Sequence, residues 1–279
     1  MKVLPFKIPK SETEILIYQE DKEIYFYDKL HQHIEIQISY IVKGEGTLII
    51  GDSINKYKTD DIFVIGSNIP HVFKSDTNDS EISFMMTLFF RKNSFGEGFF
   101  NLKNFETFQP FFKKSEYGFK VNSNKKELKH MFLKLKKALK IEQFILLFEI
   151  INLINLSKTN ILSSFIYTKN YSNNEGKRMS DVFDYSLNNF SENISLKNIS
   201  EVANMTSNAF CRYFKQRTNK SYIQFLTELR IDHATKLLRK NKDLSIIEVS
   251  TLSGFNNISN FNRKFKLLKK TTPLKYKLG

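Results

Sequence analysis

The C-terminal third of the chain contains a short repeat, Ser195-Leu196-Lys197-Asn198-Ile199-Ser200, which returns as Ser245-Ile246-Ile247-Glu248-Val249-Ser250. A second pair follows, Arg212-Tyr213-Phe214-Lys215 and Arg263-Lys264-Phe265-Lys266, at nearly the same spacing. Each copy begins with a Ser that suits a helix N-cap, continues through a tight turn and ends in a basic helix. A short helix, a turn and a second helix form a helix-turn-helix. The sequence therefore predicts two such units.

The residues between the two units predict one continuous helix over 221–240. Its apolar side chains form a single stripe of Ile223, Leu226, Ile231, Ala234, Leu237 and Leu238. A helix of about 20 residues is about 30 Å long. Successive major-groove segments on one face of a duplex are about 34 Å apart. We therefore expect one chain to contact two adjacent major-groove segments.

The second helix of each unit has an apolar side and a polar side. Phe210 and Phe214, and likewise Phe261 and Phe265, are expected to pack inward. Asn and Arg can hydrogen-bond base edges, and Lys can bind phosphates. The predicted DNA-contacting residues are those of the outward sides: Asn208, Cys211, Arg212, Lys215, Ile258, Ser259, Asn262, Arg263 and Lys266. The alternative is that they are ordinary solvated positions.

Positive charge is concentrated in the same part of the chain. The 279 residues include 43 Lys and Arg against 29 Asp and Glu, a net charge of +14. Residues 177–279 hold 19 of these basic residues and 8 of the acidic ones. A basic module beside a nearly neutral one is typical of a nucleic-acid binder with a separate sensing part. The single cysteine, Cys211, excludes a disulfide framework, and the GxxxxGK[ST], GxGxxG and GxSxG motifs are absent.

The N-terminal half has the pattern of a barrel or sandwich. Short apolar or alternating runs predict strands at Ile15–Tyr18, Ile24–Tyr27, His33–Val42, Gly46–Ile50, Asp61–Ile65 and Ile82–Phe90. From about residue 125 the apolar period changes to three and four residues, which predicts two helices up to Leu156. Phe residues between 84 and 112 are expected to fill the core.

The polar stretch 161–176 predicts a linker between an N-terminal domain, 1–160, and a C-terminal domain, 177–279. The longest apolar run, 144–156, is shorter than the roughly 20 residues that span a bilayer. The first residues lack the apolar run of a signal peptide. These observations predict a soluble, cytoplasmic protein with no membrane partner.

The N-terminal half has its clearest group of candidate ligand-binding side chains in the stretch His31-Gln32-His33-Ile34-Glu35. On a strand, His31, His33, Glu35 and Gln37 would point to one face, and His71 follows about forty residues later. The candidate ligand-binding residues are His31, His33, Glu35 and His71. We predict that these four side chains line a small-molecule pocket. Three imidazoles and a carboxylate can also ligate Zn²⁺, Mn²⁺ or Fe²⁺. A third alternative is that they only hydrogen-bond loops at the mouth of a barrel.

Residues 178–277 resemble the double helix-turn-helix domain of AraC-type transcriptional regulators. The matching positions are Ser195-Leu196, Phe214-Lys215, Arg230-Ile231, Ala234, Leu237-Leu238, Gly254-Phe255, Phe261, Arg263, Phe265-Lys266, Thr272-Pro273 and Tyr276. The resemblance implies that helices near 207–215 and 258–266 enter the major groove. The chain departs from the family at Asn204 and Asn219, where many relatives have Gly, but Asn tolerates the left-handed conformation.

Residues 10–160 resemble the cupin-like sensor domains of the same regulators. The resemblance depends on the HxH-plus-Glu stretch at 31–35, on Gly44-Glu45-Gly46, on Gly66 and on Pro70-His71. It implies a domain that senses a ligand and dimerises, with the helices at 125–156 as dimer contacts. No metal or other cofactor is expected.

The sequence thus predicts an α+β multidomain protein, with an N-terminal cupin-like β-barrel, flanking helices and a C-terminal all-α double helix-turn-helix domain. It is expected to be a non-enzymatic, homodimeric regulator that binds operator DNA and responds to an unknown small-molecule effector. One competing hypothesis is a metal-dependent cupin enzyme with an appended basic nucleic-acid-binding domain. Another is a packaging protein that binds DNA without sequence preference.

Overall fold

The computed structural model describes residues 14–76, 82–167 and 173–278. The chain divides into two compact units, Met1–Gly176 and Lys177–Gly279. Within the described ranges, the helices are all too short or too polar to cross a membrane.

The predicted linker, 161–176, partly lies outside the described residues, at 168–172. Its first part lies on the N-terminal unit. Ser163 and Ser164 donate hydrogen bonds to the carboxylate of Asp52, and Tyr167 is buried. This part of the segment is therefore packed rather than extended into solvent.

The described N-terminal unit has strands in two antiparallel sheets. Its strands are β1 (Leu16–Glu23), β2 (Ile36–Lys43), β3 (Gly46–Ile50), β4 (Ser53–Tyr57), β5 (Ile62–Ile65), β6 (His71–Ser75), β7 (Ser83–Phe90), β8 (Phe119–Val121) and β9 (Thr159–Ile161). The larger sheet has the order β1-β7-β2-β5-β8-β9, and the smaller has the order β4-β3-β6. The prediction that the N-terminal domain is built mainly from β-strands is therefore confirmed.

Within the described residues the two sheets do not close into one hydrogen-bonded barrel, and they form the sandwich that the strand pattern also predicted. They pack through side chains instead: Ile41 and Phe63 of the larger sheet share a core with Leu48 and Phe73 of the smaller one. The other face of the larger sheet is covered by helices. Both faces of β2 are consequently buried, and its polar Gln37 and Ser39 are buried together with its apolar residues.

The predicted strand Ile24–Tyr27 is wrong. β1 ends at Glu23, where its pairing with β7 also ends, at Ser83. Ile24 and Tyr25 are exposed, whereas Phe26 is buried in the core between the sheets. The predicted strand His33–Val42 begins late, because residues 33–35 form a bend before β2.

Three helices cover the outer face of the larger sheet: α1 (Gln109–Ser115), α2 (Lys125–Leu135) and α3 (Lys140–Asn155). Two short 3₁₀ segments, Phe99–Asn101 and Lys103–Phe108, precede them. The phenyl rings of this region pack against one another and against Phe148 of α3. The expectation that Phe fills this core is confirmed.

The C-terminal unit is helical throughout its described part. Its helices are α4 (Asn173–Asn189), α5 (Leu196–Val202), α6 (Ser207–Thr218), α7 (Tyr222–Lys240), α8 (Ile246–Leu252), α9 (Ile258–Lys269) and α10 (Pro273–Leu278). α5 and α8 each have seven residues, and α6 and α9 each have twelve. The repeat in the sequence is therefore a repeat of structure.

Local hydrogen bonds explain where these helices begin. The hydroxyl oxygens of Ser195 and Ser245 accept hydrogen bonds from the backbone N–H three residues later, as N-caps do. Ser221 caps α7 in the same way, and Gln224 completes a capping box there. The three predicted helix starts are thereby confirmed.

The turn inside each unit requires a left-handed residue. Asn204 has φ 51° and Gly254 has φ 79°, and the N–H after each donates to the carbonyl of Ser200 or Ser250. Asn219 has φ 54° at the end of α6. Asn therefore adopts the conformation for which many relatives use Gly, as expected.

Candidate nucleic-acid interface and sensor site

The two second helices, α6 and α9, are amphipathic in the predicted sense. Phe210, Phe214, Phe261 and Phe265 are fully buried. All nine predicted DNA-contacting residues are exposed: Asn208, Cys211, Arg212, Lys215, Ile258, Ser259, Asn262, Arg263 and Lys266. Each unit thus presents a polar helix face to solvent.

The basic side chains on the exposed faces of α6 and α9 differ in their ion pairing from Lys220, which lies elsewhere in the C-terminal unit. Among the described residues, Arg212, Lys215 and Lys266 form no ion pair, and the guanidinium of Arg263 only donates to the carboxamide of Asn260, at 3.1 Å. By contrast, Lys220 binds Glu228 at 2.7 Å. Acidic side chains of the described residues therefore leave the charges of Arg212, Lys215, Arg263 and Lys266 without a direct counterion.

α7 joins the two helix-turn-helix units as predicted. Its 19 residues make it about 29 Å long. Phe225, near its start, packs against Phe214 of the first unit, at 5.6 Å between ring centroids. Ala234 and Leu238, near its end, belong to the core of the second unit. One rigid helix is consequently part of both cores.

The predicted apolar stripe of α7 is only partly correct. Ile223 is 49% exposed, whereas Tyr222, Phe225 and Leu229 are buried and were not predicted. The helix enters the core of the first unit through its aromatic side chains. Arg230 lies at its middle and donates to the carbonyls of Phe190 and Glu192, both at 2.7 Å. This links the residues after α4 to α7.

In the N-terminal unit, the structure brings together three of the four predicted ligand-binding residues. One ring nitrogen from each of His31, His33 and His71 lies within 4.8 Å of those of the other two, and all three side chains are buried. The Nδ1 atoms lie 2.8 to 3.0 Å from the carbonyl oxygens of Lys29, Glu35 and Ile69. Such backbone contacts fix the orientation of each ring.

Gln37, predicted on the same face as His31 and His33, is a buried neighbour of this cluster. Its carboxamide oxygen lies 2.9 Å from Nε2 of His33 and 3.1 Å from Nε2 of His71, and its nitrogen lies 2.8 Å from the hydroxyl of Ser39. A neutral imidazole whose Nδ1–H donates to a carbonyl carries a lone pair on Nε2. With its amide reversed, Gln37 can donate one N–H to each ring. Both ring nitrogens of His33 and of His71 can therefore be satisfied by hydrogen bonds alone.

Glu35 does not join the histidines, because residues 31–35 precede β2 and do not alternate as a strand. Its Oε1 accepts a hydrogen bond from Nε of Arg91 at 2.9 Å, and Nη2 lies equally close. Its Oε2 is 3.8 Å from Nδ1 of His33 and has no hydrogen-bond partner among the described residues. The predicted pocket set thus divides into a histidine cluster and a buried Glu35–Arg91 pair.

His31, His33 and His71 have the donor chemistry for a divalent transition metal, which would supply a Lewis acid if bound. Their nitrogens would have to approach one another, since tetrahedral Zn–N bonds of about 2.1 Å place two nitrogens about 3.4 Å apart. The expected carboxylate ligand is held by Arg91 instead. The four-residue ligand set of the enzyme hypothesis is therefore not assembled among the described residues.

Comparison with known proteins agrees with the division of the chain into a strand-rich N-terminal unit and a helical C-terminal unit. A helix-turn-helix domain model matches residues 199–278, and a cupin domain model matches residues 25–88. The uncharacterized HTH-type transcriptional regulator YdeC of Bacillus subtilis (strain 168) is 32% identical over 36% of this chain and 34% of that protein. An uncharacterized HTH-type transcriptional regulator of Staphylococcus aureus (strain COL) is 29% identical over 40% of this chain and 15% of that protein. The chain thus spans about a third or less of these relatives.

Solved structures are similar to part of the chain. The DNA-binding domain of AdpA, a global transcriptional factor crystallised with a target DNA, is 24% identical with a TM-score of 0.35, covering 36% of this chain and 90% of that chain. An AraC-type regulator from Chromobacterium violaceum is 20% identical with a TM-score of 0.34, covering 37% and 90%. The matched models therefore agree with a cupin domain in the N-terminal unit and a helix-turn-helix domain in the C-terminal unit.

Proposed function

We propose that this chain is a sequence-specific DNA-binding transcription regulator that responds to a small molecule. One observation carries the proposal: two helix-turn-helix units of equal helix lengths, joined by α7, each expose a second helix. The outward Arg212, Lys215, Arg263 and Lys266 of these helices lack acidic partners in the part of the chain that the structure describes. That arrangement suits two major-groove contacts by one chain. The basic excess of residues 177–279 supports the same partner, double-stranded operator DNA.

The side chains on the two exposed faces suit different parts of the duplex. Arg212 and Arg263 can each donate two hydrogen bonds to guanine, and Asn262 can pair with adenine. Lys215 and Lys266 suit phosphates, which fix position without reading sequence. Cys211 and Ile258 offer little hydrogen bonding, so direct readout depends on few residues.

The N-terminal unit is proposed to sense the effector and to form a homodimer. A surface groove of about 670 Å³ lies between α2 and α3, where Leu133 and Ile145 are 45% and 55% exposed. Apolar patches of this kind mark protein contacts. Effector binding would change how the N-terminal units of two chains pair. This would change the spacing between the C-terminal, DNA-binding units of the two chains. A ligand can shift that equilibrium only by its differential affinity for the two states.

The proposal includes a cytoplasmic location, where a regulator meets the genome, and no enzymatic activity. Its test is selection of genomic fragments by the purified full chain, followed by competition with random duplex at fixed salt. We expect specific fragments to bind at least about a thousandfold more tightly than random DNA. Equal competition by random duplex would instead favour the packaging hypothesis.

Two variants make this selection specific to the proposed interface. Arg212→Ala should lower affinity for the selected fragments, since it removes a cation from the exposed face of α6. Lys177→Ala is the matched control, because it removes one positive charge from α4, where Lys177 pairs with Asp181. Equal losses for both variants would show that charge, rather than the α6 face, drives binding.

A further inference from the structure

A cavity of about 610 Å³ lies beside the Glu35–Arg91 pair, at the end of the larger sheet where β2 begins and where β5 and β7 end. Small-molecule sites in proteins have volumes of about 300–1,000 Å³. Its wall includes Ile34, Asn68, Arg91, Lys92, Asn93 and Phe100. The cavity thus combines two cations and carboxamides with apolar side chains.

Arg91 has an unused edge on the cavity side of its ion pair. Its Nε and Nη2 atoms both approach a single oxygen of Glu35, at 2.9 Å. Its Nη1 group has no hydrogen-bond acceptor among the described residues, and the side chain is 30% exposed. The end-on edge of a guanidinium, formed by Nη1 and Nη2, matches two oxygens of a carboxylate or phosphate.

Lys92 adds a second cation without an acidic partner in the described part of the chain. Its ammonium lies 5.0 Å from the ring centroid of Phe112. Glu97 is the acidic residue of the wall. Glu35 compensates Arg91 on one side, but the Nη1 edge of Arg91 and the ammonium of Lys92 remain available to an anion. An anionic group next to Arg91 and Lys92 would therefore be attracted, while Ile34 and Phe100 offer surface for an apolar body.

We propose that this cavity is the effector site and that the effector is a small organic anion bound through a carboxylate or phosphate group to Arg91 and Lys92. This inference deepens the sensing role proposed above, and only its regulatory meaning depends on that role. It also gives the histidine cluster a supporting role. The N–H of Asn68, on the wall, donates to the carbonyl of His33, so the cluster holds one wall of the cavity in place.

The experiment measures binding to the full chain by calorimetry, without DNA. The probes are benzoate and phenyl phosphate, with benzamide as the neutral control of similar shape. Both anions share the proposed chemistry, and the one that binds more tightly identifies the source of the anionic group. We expect at least one anion to bind and benzamide not to bind.

Variants connect this binding to the cavity. Lys92→Ala should weaken binding of the anion about fivefold, the effect of losing one exposed ion pair. Lys103→Ala is the matched control, since Lys103 is exposed on a neighbouring 3₁₀ segment outside the wall. The double variant Glu35→Gln/Arg91→Gln keeps a neutral hydrogen-bonding pair in the buried position, and it should abolish anion binding while circular dichroism shows a folded chain.

The proposal is overturned if neither anion binds, if benzamide binds as tightly as benzoate, or if Lys103→Ala weakens binding as much as Lys92→Ala. Because DNA is absent from this experiment, its failure leaves the DNA-binding proposal intact. Failure of the genomic selection would likewise leave anion binding in this cavity intact.

Discussion

The two helix-turn-helix units have the same helix lengths, yet they are built around different interiors. In the first unit, Phe183, Phe214 and Phe225 form an aromatic cluster with centroid distances of 4.8 to 6.0 Å. In the second, Phe261 also packs against Phe255 and Phe265, at 5.2 and 5.6 Å, but α7 contributes the aliphatic Ile231 and Leu238 to this core instead of an aromatic ring. Repetition therefore preserves the backbone plan and the exposed helix, while each core fills its space differently.

The turns of the two units differ for a reason that lies outside the repeat. A Cβ atom added at Gly254 would lie 2.7 Å from the carbonyl oxygen of Phe190 and 2.9 Å from Nε of Arg230. Asn204, at the equivalent turn of the first unit, is exposed. The residues that follow α4 pass over the second turn and leave no room there for a side chain. The difference shows that equivalent positions of a repeat can carry unequal constraints.

The largest effect expected from this difference is at the turns. Gly254→Ala should lower the free energy of unfolding by about 2–4 kcal/mol, because it combines left-handed strain with a clash against backbone. Asn204→Ala should cost only about 1 kcal/mol, the left-handed penalty alone. Urea denaturation of the two variants measures both values.

Asn204→Gly is the control for the first turn, since it removes the left-handed penalty without adding atoms. We expect it to be neutral or slightly stabilising, within about 1 kcal/mol. If Gly254→Ala and Asn204→Ala cost the same, the passage of the chain over the second turn is not the source of the asymmetry.

A second prediction separates side chains within one exposed face. Arg263→Ala should cost about 1–3 kcal/mol at a single base position, if its guanidinium reads guanine. Lys266→Ala should weaken binding to all sequences alike and lower the salt slope by about one unit. Binding of single-base operator variants across a salt series measures both effects.

The same pair of measurements at Arg212 and Lys215 compares the first unit with the second. Equal losses on every sequence for the Arg and Lys variants of one unit would contradict the division into reading and positioning residues. A base preference lost with Arg263→Ala and kept with Arg212→Ala would show that the second unit reads more of the operator.

The helical unit could be predicted from the sequence because its signals are local. A Ser N-cap, a turn residue and an apolar period of three or four residues lie within a few positions of one another, as at Ser195, Asn204 and Phe210. The buried side of α7 was harder to predict, since Tyr222 and Phe225 are buried by contact with α6 rather than by the main stripe.

The sheets were less predictable, because a strand depends on partners far away in the sequence. The polar strand β4 pairs with β3 at the edge of the smaller sheet, and β9 pairs with β8 across about 38 residues, so neither has a sufficient signal of its own. The Glu35–Arg91 pair joins residues 56 positions apart. Its existence removed the carboxylate from the predicted histidine set, and only the fold could show this.

The smallest expected effect concerns the helix caps. In the second unit, the carboxylate of Glu248 accepts a hydrogen bond from the N–H of Ser245 at 2.7 Å. The first unit has the neutral Asn198 in that place. The backbone hydrogen bond from Ser245 lowers the pKa of Glu248 below its ordinary value.

A carboxyl group whose pKa is lowered by folding stabilises the folded state above its unfolded pKa, and this contribution is lost as the pH falls through the folded value. The α8 cap should therefore weaken below about pH 4.5, whereas the α5 cap should not. Glu248→Gln should reduce the acid sensitivity of unfolding in that window, and Asn198→Glu should add a matching sensitivity to the first unit. Unfolding free energies from pH 3 to 7 that show no difference between Glu248→Gln and the natural chain would mean that the two caps are equivalent.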